Sequence, residues 1–189
     1  MNAALKLMTP DAFLDWCQYQ EDRWELVDGM PRMMTGATRR HDRIVVNLII
    51  DLGNKLRGKP CQPNTADVAA RMLHGNVRRP DVTVDCASVP DKSLSSTAPT
   101  VFFEVLSPST RTIDLLRKAE EFKQTPTLRH IVIIEPDRPQ VLLWSRSDEA
   151  DPWVDRDIEG VDGIVPLTAI DVTLPMTAIY EGVRFETDV

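Results

Sequence analysis

Arg78-Arg79-Pro80-Asp81-Val82-Thr83-Val84-Asp85, then Val101-Phe102-Phe103-Glu104-Val105-Leu106 and, beyond them, Lys118, carry the fold of this chain. Val82–Val84 and Val101–Phe103 read as buried strand, because β-branched and aromatic residues gather there without a helical repeat. Each run contains a carboxylate: Asp81 at the start of the first, Glu104 within the second. Burying a carboxylate is costly unless it is paired, hydrogen-bonded or bound to a cation. Two acids on neighbouring strands with a lysine nearby are what a Mg²⁺-dependent phosphodiesterase needs, since Mg²⁺ keeps several waters and takes one or two carboxylates plus a backbone carbonyl. Asp81 and Glu104 are thus the expected metal ligands, with the Val105 carbonyl adjacent. Lys118 is expected to orient or deprotonate the attacking water, its pKa depressed by partial burial, or to stabilise developing negative charge. The same residues admit a plainer reading. Asp81 and Glu104 would then hold backbone amides or Arg79, and Lys118 would pair with Glu121 at i,i+3 on the helix surface.

Outward from this centre, Thr9-Pro10-Asp11 is a helix start, and the helix is predicted to run from Pro10 to about Tyr19. Asp28-Gly29 is the dipeptide of a tight hairpin joining Arg23–Val27 to Pro31–Met34. Val45, Leu48, Ile49, Leu52 and Leu56 fall at offsets 0, 3, 4, 7 and 11, one face of a helix over Arg40–Arg57, with Gly58 placed to end it. Asp67–Leu73 and Val77–Asp85 read as a second hairpin around His74-Gly75-Asn76, and residues 87–99 as a long loop. A strand over 100–106 leads through Ser107-Pro108-Ser109-Thr110, shaped to cap a helix from about Thr112 to Lys123. Ile131–Ile134 reads as a strand buried on both faces. His130 is placed at a strand edge. Val141–Ser145, Trp153–Ile158 and Ile164–Val172 are further strands, before a short helix after Pro175. The class is α/β (α+β): a mixed β-sheet flanked by helices.

A length of 189 residues with 42% apolar and 27% charged residues fits one domain, 1–189, in which residues 135–189 form an acidic, β-rich C-terminal extension. No apolar run approaches the roughly 20 residues of a membrane helix, and the N-terminus lacks the pattern of a secretory signal. Cys17, Cys61 and Cys86 stand far apart in no metal-ligand spacing, so reduced thiols and a cytoplasmic location are expected. The net charge of −7 is unevenly spread: residues 131–189 hold 4 Lys/Arg and 13 Asp/Glu, a balance of −9. The basic residues of the rest are clustered, at Arg39, Arg40 and Arg43, at Lys55, Arg57 and Lys59, at Arg78 and Arg79, and at Arg111, Arg117 and Lys118. That pattern allows local phosphate contacts but argues against strong non-specific DNA binding. The 55–59 group reads as a solvated face.

Several motifs together resemble the Uma-two family of the PD-(D/E)-x-K restriction-endonuclease superfamily. They are Trp24-Glu25-Leu26-Val27-Asp28-Gly29, Arg40-His41 with Val46-Asn47-Leu48, Arg79-Pro80-Asp81, Glu104-Val105-Leu106-Ser107-Pro108-Ser109-Thr110, and Asp114 with Lys118. The resemblance covers about Thr9 to Ile134, and the run from Glu104 to Thr110 is its most specific part. It implies a restriction-endonuclease-like core with Mg²⁺ at the site, Mn²⁺ substituting, and Asp81 and Glu104 as ligands. In the superfamily's standard motif the lysine follows the glutamate by two residues; here Leu106 stands there, and the resemblance assigns the role to Lys118 on the next helix. It further implies that Glu25 completes the catalytic set and that His41 touches phosphate, although Glu25 could equally face solvent and His41 be structural. Met30 replaces an acid common in the family, Phe122 a tyrosine, and Pro126-Thr127-Leu128 a Gly-Val pair.

The expected function is a Mg²⁺-dependent endonuclease acting on DNA, with a homodimer suited to cutting both strands. The alternative is a catalytically inactive nuclease-fold module that binds nucleic acid or a protein partner. A third reading is an interaction protein in which the carboxylates are merely buried ion pairs.

Overall fold

The computed structural model describes residues 7–88, 90–107 and 113–185. The elements are α1 (Pro10–Cys17), β1 (Trp24–Val27), β2 (Met30–Met33), α2 (Arg39–Leu56), β3 (Gln62–Thr65), β4 (Ala69–Arg71), β5 (Val77–Arg78), β6 (Val82–Asp85), β7 (Ser95–Ser96), β8 (Pro99–Val105), α3 (Ile113–Lys123), β9 (His130–Glu135), β10 (Gln140–Ser145), β11 (Val154–Glu159), β12 (Ile164–Leu167), β13 (Val172–Pro175) and α4 (Met176–Ile179). The central sheet has the order β11-β10-β9-β8-β6-β3. Its β8–β9 pair is parallel, and α3 makes the crossover that a parallel pair requires. The class is the mixed α/β one that the sequence predicts.

Alternation along β8 divides the core. Val101, Phe103 and Val105 join Ile44, Leu48, Leu52 and Leu56 of α2 on one face of the sheet. Phe102 points the other way, into a cluster with Ala119 and Phe122 of α3, and the Phe102 and Phe122 rings lie 4.7 Å apart. The predicted face of α2 is therefore the buried one, and the residue after Phe103, Glu104, lies on the α3 side.

A second sheet, β2-β1-β5-β4-β7, carries the first hairpin. Asp28 and Gly29 both have positive φ, 52° and 75°, as the tight turn demands. A Cβ on Gly29 would also stand 2.8 Å from Leu7 Cβ. The second expected hairpin is corrected. Of the stretch Val77–Asp85, β5 alone pairs with β4, and the chain then leaves for the central sheet as β6. Pro80 lies at the switch, where it has no N–H to give a ladder. The 87–99 segment contains β7, a short strand parallel to β4.

The expectation of three reduced thiols is overturned as well: Cys61 and Cys86 form a disulfide, and Cys17 is free. The pairing of Gln62 with Asp85 between β3 and β6 brings the flanking cysteines together across 25 residues. The thiols thus lend no support to a reducing compartment. Trp144 and Trp153 are packed, each under a cation: Lys123 lies 4.8 Å from the first ring and Arg146 4.6 Å from the second.

His130 is not at an edge. It opens β9, in the middle of the sheet, and is 1% exposed. Its Nε2 accepts from the Ala169 N–H at 3.1 Å, leaving Nδ1 to donate to Ser145 Oγ at 2.9 Å. Burial lowers its pKa to about 4. The unfolded chain therefore binds the extra proton first, and the stability due to the neutral ring is complete above about pH 6.5 and lost as pH falls through about 4. A difference of about 3 kcal/mol is expected between those limits. Urea titrations from pH 7 to 4 should show His130→Gln with a flatter pH dependence than the parent; parallel curves would contradict this.

Candidate active site

The β6–β8 register pairs Val82 with Phe103, so one further step sets Asp81 opposite Glu104. Pro80 holds the chain extended before the aspartate. Asp81 Oδ2 accepts the Val105 N–H at 2.8 Å, so its expected backbone contact is present. Arg79 does not reach it. That guanidinium donates instead to the carbonyls of Trp24, Ala66 and Asp67.

His41 arrives from α2, where the Thr38 hydroxyl accepts the His41 N–H at 3.2 Å and fixes the first turn. Its Nε2 lies 3.2 Å from Asp81 Oδ2. Burial alone would lower its pKa, but Asp81, Glu104 and a hydrogen bond to the Val105 backbone outweigh burial and raise it. The imidazole thus sits against two of the groups expected to hold a metal, rather than standing clear in solvent.

Lys118 reaches back from α3 to the strand pair. Its Nζ lies 2.7 Å from Glu104 Oε1 and 3.3 Å from Glu25 Oε1, and 5.8 Å from the Phe122 ring centroid. The surface pairing with Glu121 is absent, because Glu121 is occupied by Arg78 at 2.6 Å. The expected depression of the lysine pKa is reversed. Burial opposes the charge, but Glu104, Glu25 and Asp81 outweigh it and raise the pKa above the ordinary value. Burial pushes Glu104 up to about 8; Lys118 opposes this, and Asp81 and Glu25 add to it. Glu25 is also buried, yet Lys118 and Arg78 bring it below the usual carboxylate range.

Asp81, Glu104, Glu25, Lys118 and His41 side chains are each 12–15% exposed, enough to leave a path for water. Among the described residues no three His, Cys, Asp or Glu side chains form a ready-made metal cluster. The donor set still suits Mg²⁺, which asks for few protein ligands. Glu104 Oε1 is buried and accepts no well-aligned hydrogen bond, meeting Lys118 as an ion pair. Four carboxylates, those of Asp81, Glu104, Glu25 and Glu121, face two permanent cations, Arg78 and Lys118.

Sequence reasoning missed Arg78 and Glu121 as members of this site. Arg78 is 2% exposed and joins Glu25 to Glu121, so the Arg78-Arg79 cluster is turned inward rather than toward phosphate. The available signal was the i,i+3 spacing that puts Glu121 on the Lys118 face of α3. Arg40 pairs with Asp137, and Arg117 with Asp28. Lys55 and Lys59 also have acidic partners, Asp51 and Asp171, as a surface group would. Ser109, Thr110 and Arg111 lie outside the described residues.

Three comparisons bear on this geometry. The family model Uma2, described as "Putative restriction endonuclease", matches residues 10–177. An uncharacterized protein of a Synechocystis strain is 27% identical over 186 residues, covering 97% of each chain. A crystal structure from Anabaena variabilis, titled "a putative nuclease belonging to DUF820", superposes with a TM-score of 0.72 at 15% identity, covering 92% of this chain and 97% of that one.

Proposed function

The chain belongs to the Uma2 family, and from that premise we propose that it is a Mg²⁺-dependent endonuclease hydrolysing the phosphodiester bonds of DNA. The observation that carries the proposal is Asp81 and Glu104 side by side on β6 and β8 with the Lys118 ammonium 2.7 Å from Glu104. A bound Mg²⁺, or Mn²⁺ in its stead, would be held by Asp81, Glu104 and the Val105 carbonyl, and would supply Lewis-acid stabilisation of the scissile phosphate and a more acidic water.

The remaining work falls to the chain. Lys118, kept protonated by its carboxylates, is a fixed positive charge that stabilises negative charge developing on the phosphate and orients the attacking water. Glu25, 3.3 Å from the ammonium, helps hold it in place. His41, its proton affinity raised at the end of the strand pair, contacts a phosphate oxygen. A homodimer would serve cleavage of both strands. Among the described residues no helix is long and apolar enough to cross a membrane, and we take the protein to work in the cytoplasm, where DNA is available.

Plasmid and oligonucleotide cleavage with Mg²⁺ or Mn²⁺ tests the proposal. Wild type is expected to give product, and Asp81→Ala and Glu104→Ala to give none above background. Equal cleavage by all three proteins would sink it. The reading favoured by the exposed acids of β11 (Asp155, Asp157 and Glu159) is a module that binds a partner without turnover. It predicts metal-independent binding and no product.

A further inference from the structure

We propose that Arg78 is a positioning residue: clamped between Glu25 and Glu121, it fixes the Glu25 carboxylate that, together with Glu104, holds the Lys118 ammonium at the strand pair. The inference rests on the nuclease reading for its kinetic part and on geometry alone for the rest.

An arginine almost removed from solvent must have every charge contact supplied by the protein. Here Nε and Nη2 both donate to Glu121 Oε2, at 2.9 and 2.6 Å, while Nη1 donates to Glu25 Oε2 at 3.1 Å. The planar fork thereby sets the distance between two carboxylates from different elements, which a lysine's single point charge does not do. Neither carboxylate is left to turn. Glu121 Oε1 accepts from Asn76 Nδ2 at 2.7 Å, and Asn76 Oδ1 accepts the Asp28 N–H of the hairpin turn at 2.8 Å. Glu25 Oε1 accepts the Arg79 N–H at 2.9 Å and faces Lys118 at 3.3 Å.

Lys118 and Glu121 share one face of α3, so the same arginine that anchors the helix also orients the acid opposite the lysine. The lysine's flexible four-carbon stem has no comparable stiffness of its own. A purely structural role for Arg78 would tie α3 to β1 and β5 without affecting where the ammonium points.

The test separates these roles in the full-length protein labelled with ¹⁵N and free of metal. The Lys118 ammonium resonance, assigned by its loss in Lys118→Met, is followed in Arg78→Lys and in the milder Glu121→Gln. Circular dichroism gives the folded fraction. The resonance is expected to shift or to broaden by faster proton exchange in both variants. Their Mg²⁺-supported kcat on plasmid DNA is expected to fall about 10–100-fold with KM within about twofold, as for a residue that orients the catalytic groups. Arg78→Lys is expected to cost nothing further in kcat in a Lys118→Met background. An unchanged resonance in folded variants overturns the proposal, as does a kcat loss that merely follows the folded fraction. If the wild type cleaves no DNA, the nuclease reading fails by itself, and the resonance still decides the positioning role.

Discussion

Lys118→Met is expected to reduce Mg²⁺-supported cleavage by about 10²–10³-fold, the range for removing one preorganised charge from a transition state. It is also expected to destabilise the fold in a pH-dependent way. The ammonium is the counter-charge 2.7 Å from Glu104 and 3.3 Å from Glu25, and breaking a buried pair by removing one partner costs about 3–5 kcal/mol when the other stays charged. Glu104 has an escape, since it can protonate. Its folded pKa, already about 8, rises further without the lysine. A carboxyl with a raised folded pKa contributes stability that is full below its unfolded value near 4.5 and is lost as pH rises through the folded value. The gap between wild type and variant should therefore be nearly constant from pH 5 to 8 and widen above that, by up to about 1.4 kcal/mol at pH 9. Added Mg²⁺ should narrow it. Urea unfolding at these pH values with single-turnover cleavage provides the check, and a pH-independent gap would show that the ammonium does not compensate Glu104.

The Asp81–Glu104 pair could be read from the sequence because a local conflict betrays it: a carboxylate inside a run of β-branched and aromatic residues has to be explained. Lys118 could not be reached that way. A lysine on an amphipathic helix is unremarkable in pattern; its place on the helix after the Glu104 strand made it a candidate, and the resemblance to a family favoured that role over a surface pairing with Glu121. Arg78 was hidden for a third reason. Arg78-Arg79 looks like a basic surface cluster, and its inward direction follows from the chain changing sheets at Pro80, a tertiary event that no local periodicity reports. Once β5 lies beside β1, with Leu26 opposite Val77, Arg78 faces Glu25.

The fold shows the same division. The 3.6-residue repeat of α2 and the Asp28-Gly29 turn are local signals, and both elements formed where expected. By contrast, β3 is Gln62-Pro63-Asn64-Thr65, a composition poor in strand formers that is held at the sheet edge by pairing with β6. The Cys61–Cys86 disulfide depends on that pairing and was invisible with it. His130 shows how burial follows from sheet order. It begins the buried run Ile131–Ile134, and only β10 beyond β9 turns that position from an edge into a centre.

The largest stability effect is expected at Arg78. Arg78→Met keeps bulk in the core but leaves Glu121, and in part Glu25, facing no guanidinium in a region where the arginine was 2% exposed. The expected loss is about 3–5 kcal/mol. Because the pair is shielded from solvent, raising salt from 0.1 to 1 M should leave the difference nearly intact. Arg23 provides the contrast: it pairs with Asp67 at 2.9 Å, but both side chains are more than half exposed, and Arg23→Ala should change stability by less than about 1 kcal/mol. Removing both charges together separates the strength of the ion pair from the cost of leaving one acid unpaired. Arg78→Met with Glu121→Leu should recover part of the loss, since replacing a whole buried pair by apolar groups is often close to neutral. Recovery should stop short of wild type, because Glu25 retains Lys118 but loses the arginine. A double variant no more stable than Arg78→Met alone would mean that Glu121 is not left in distress by the single substitution, and that Arg78 stabilises the fold through its packing rather than its charge.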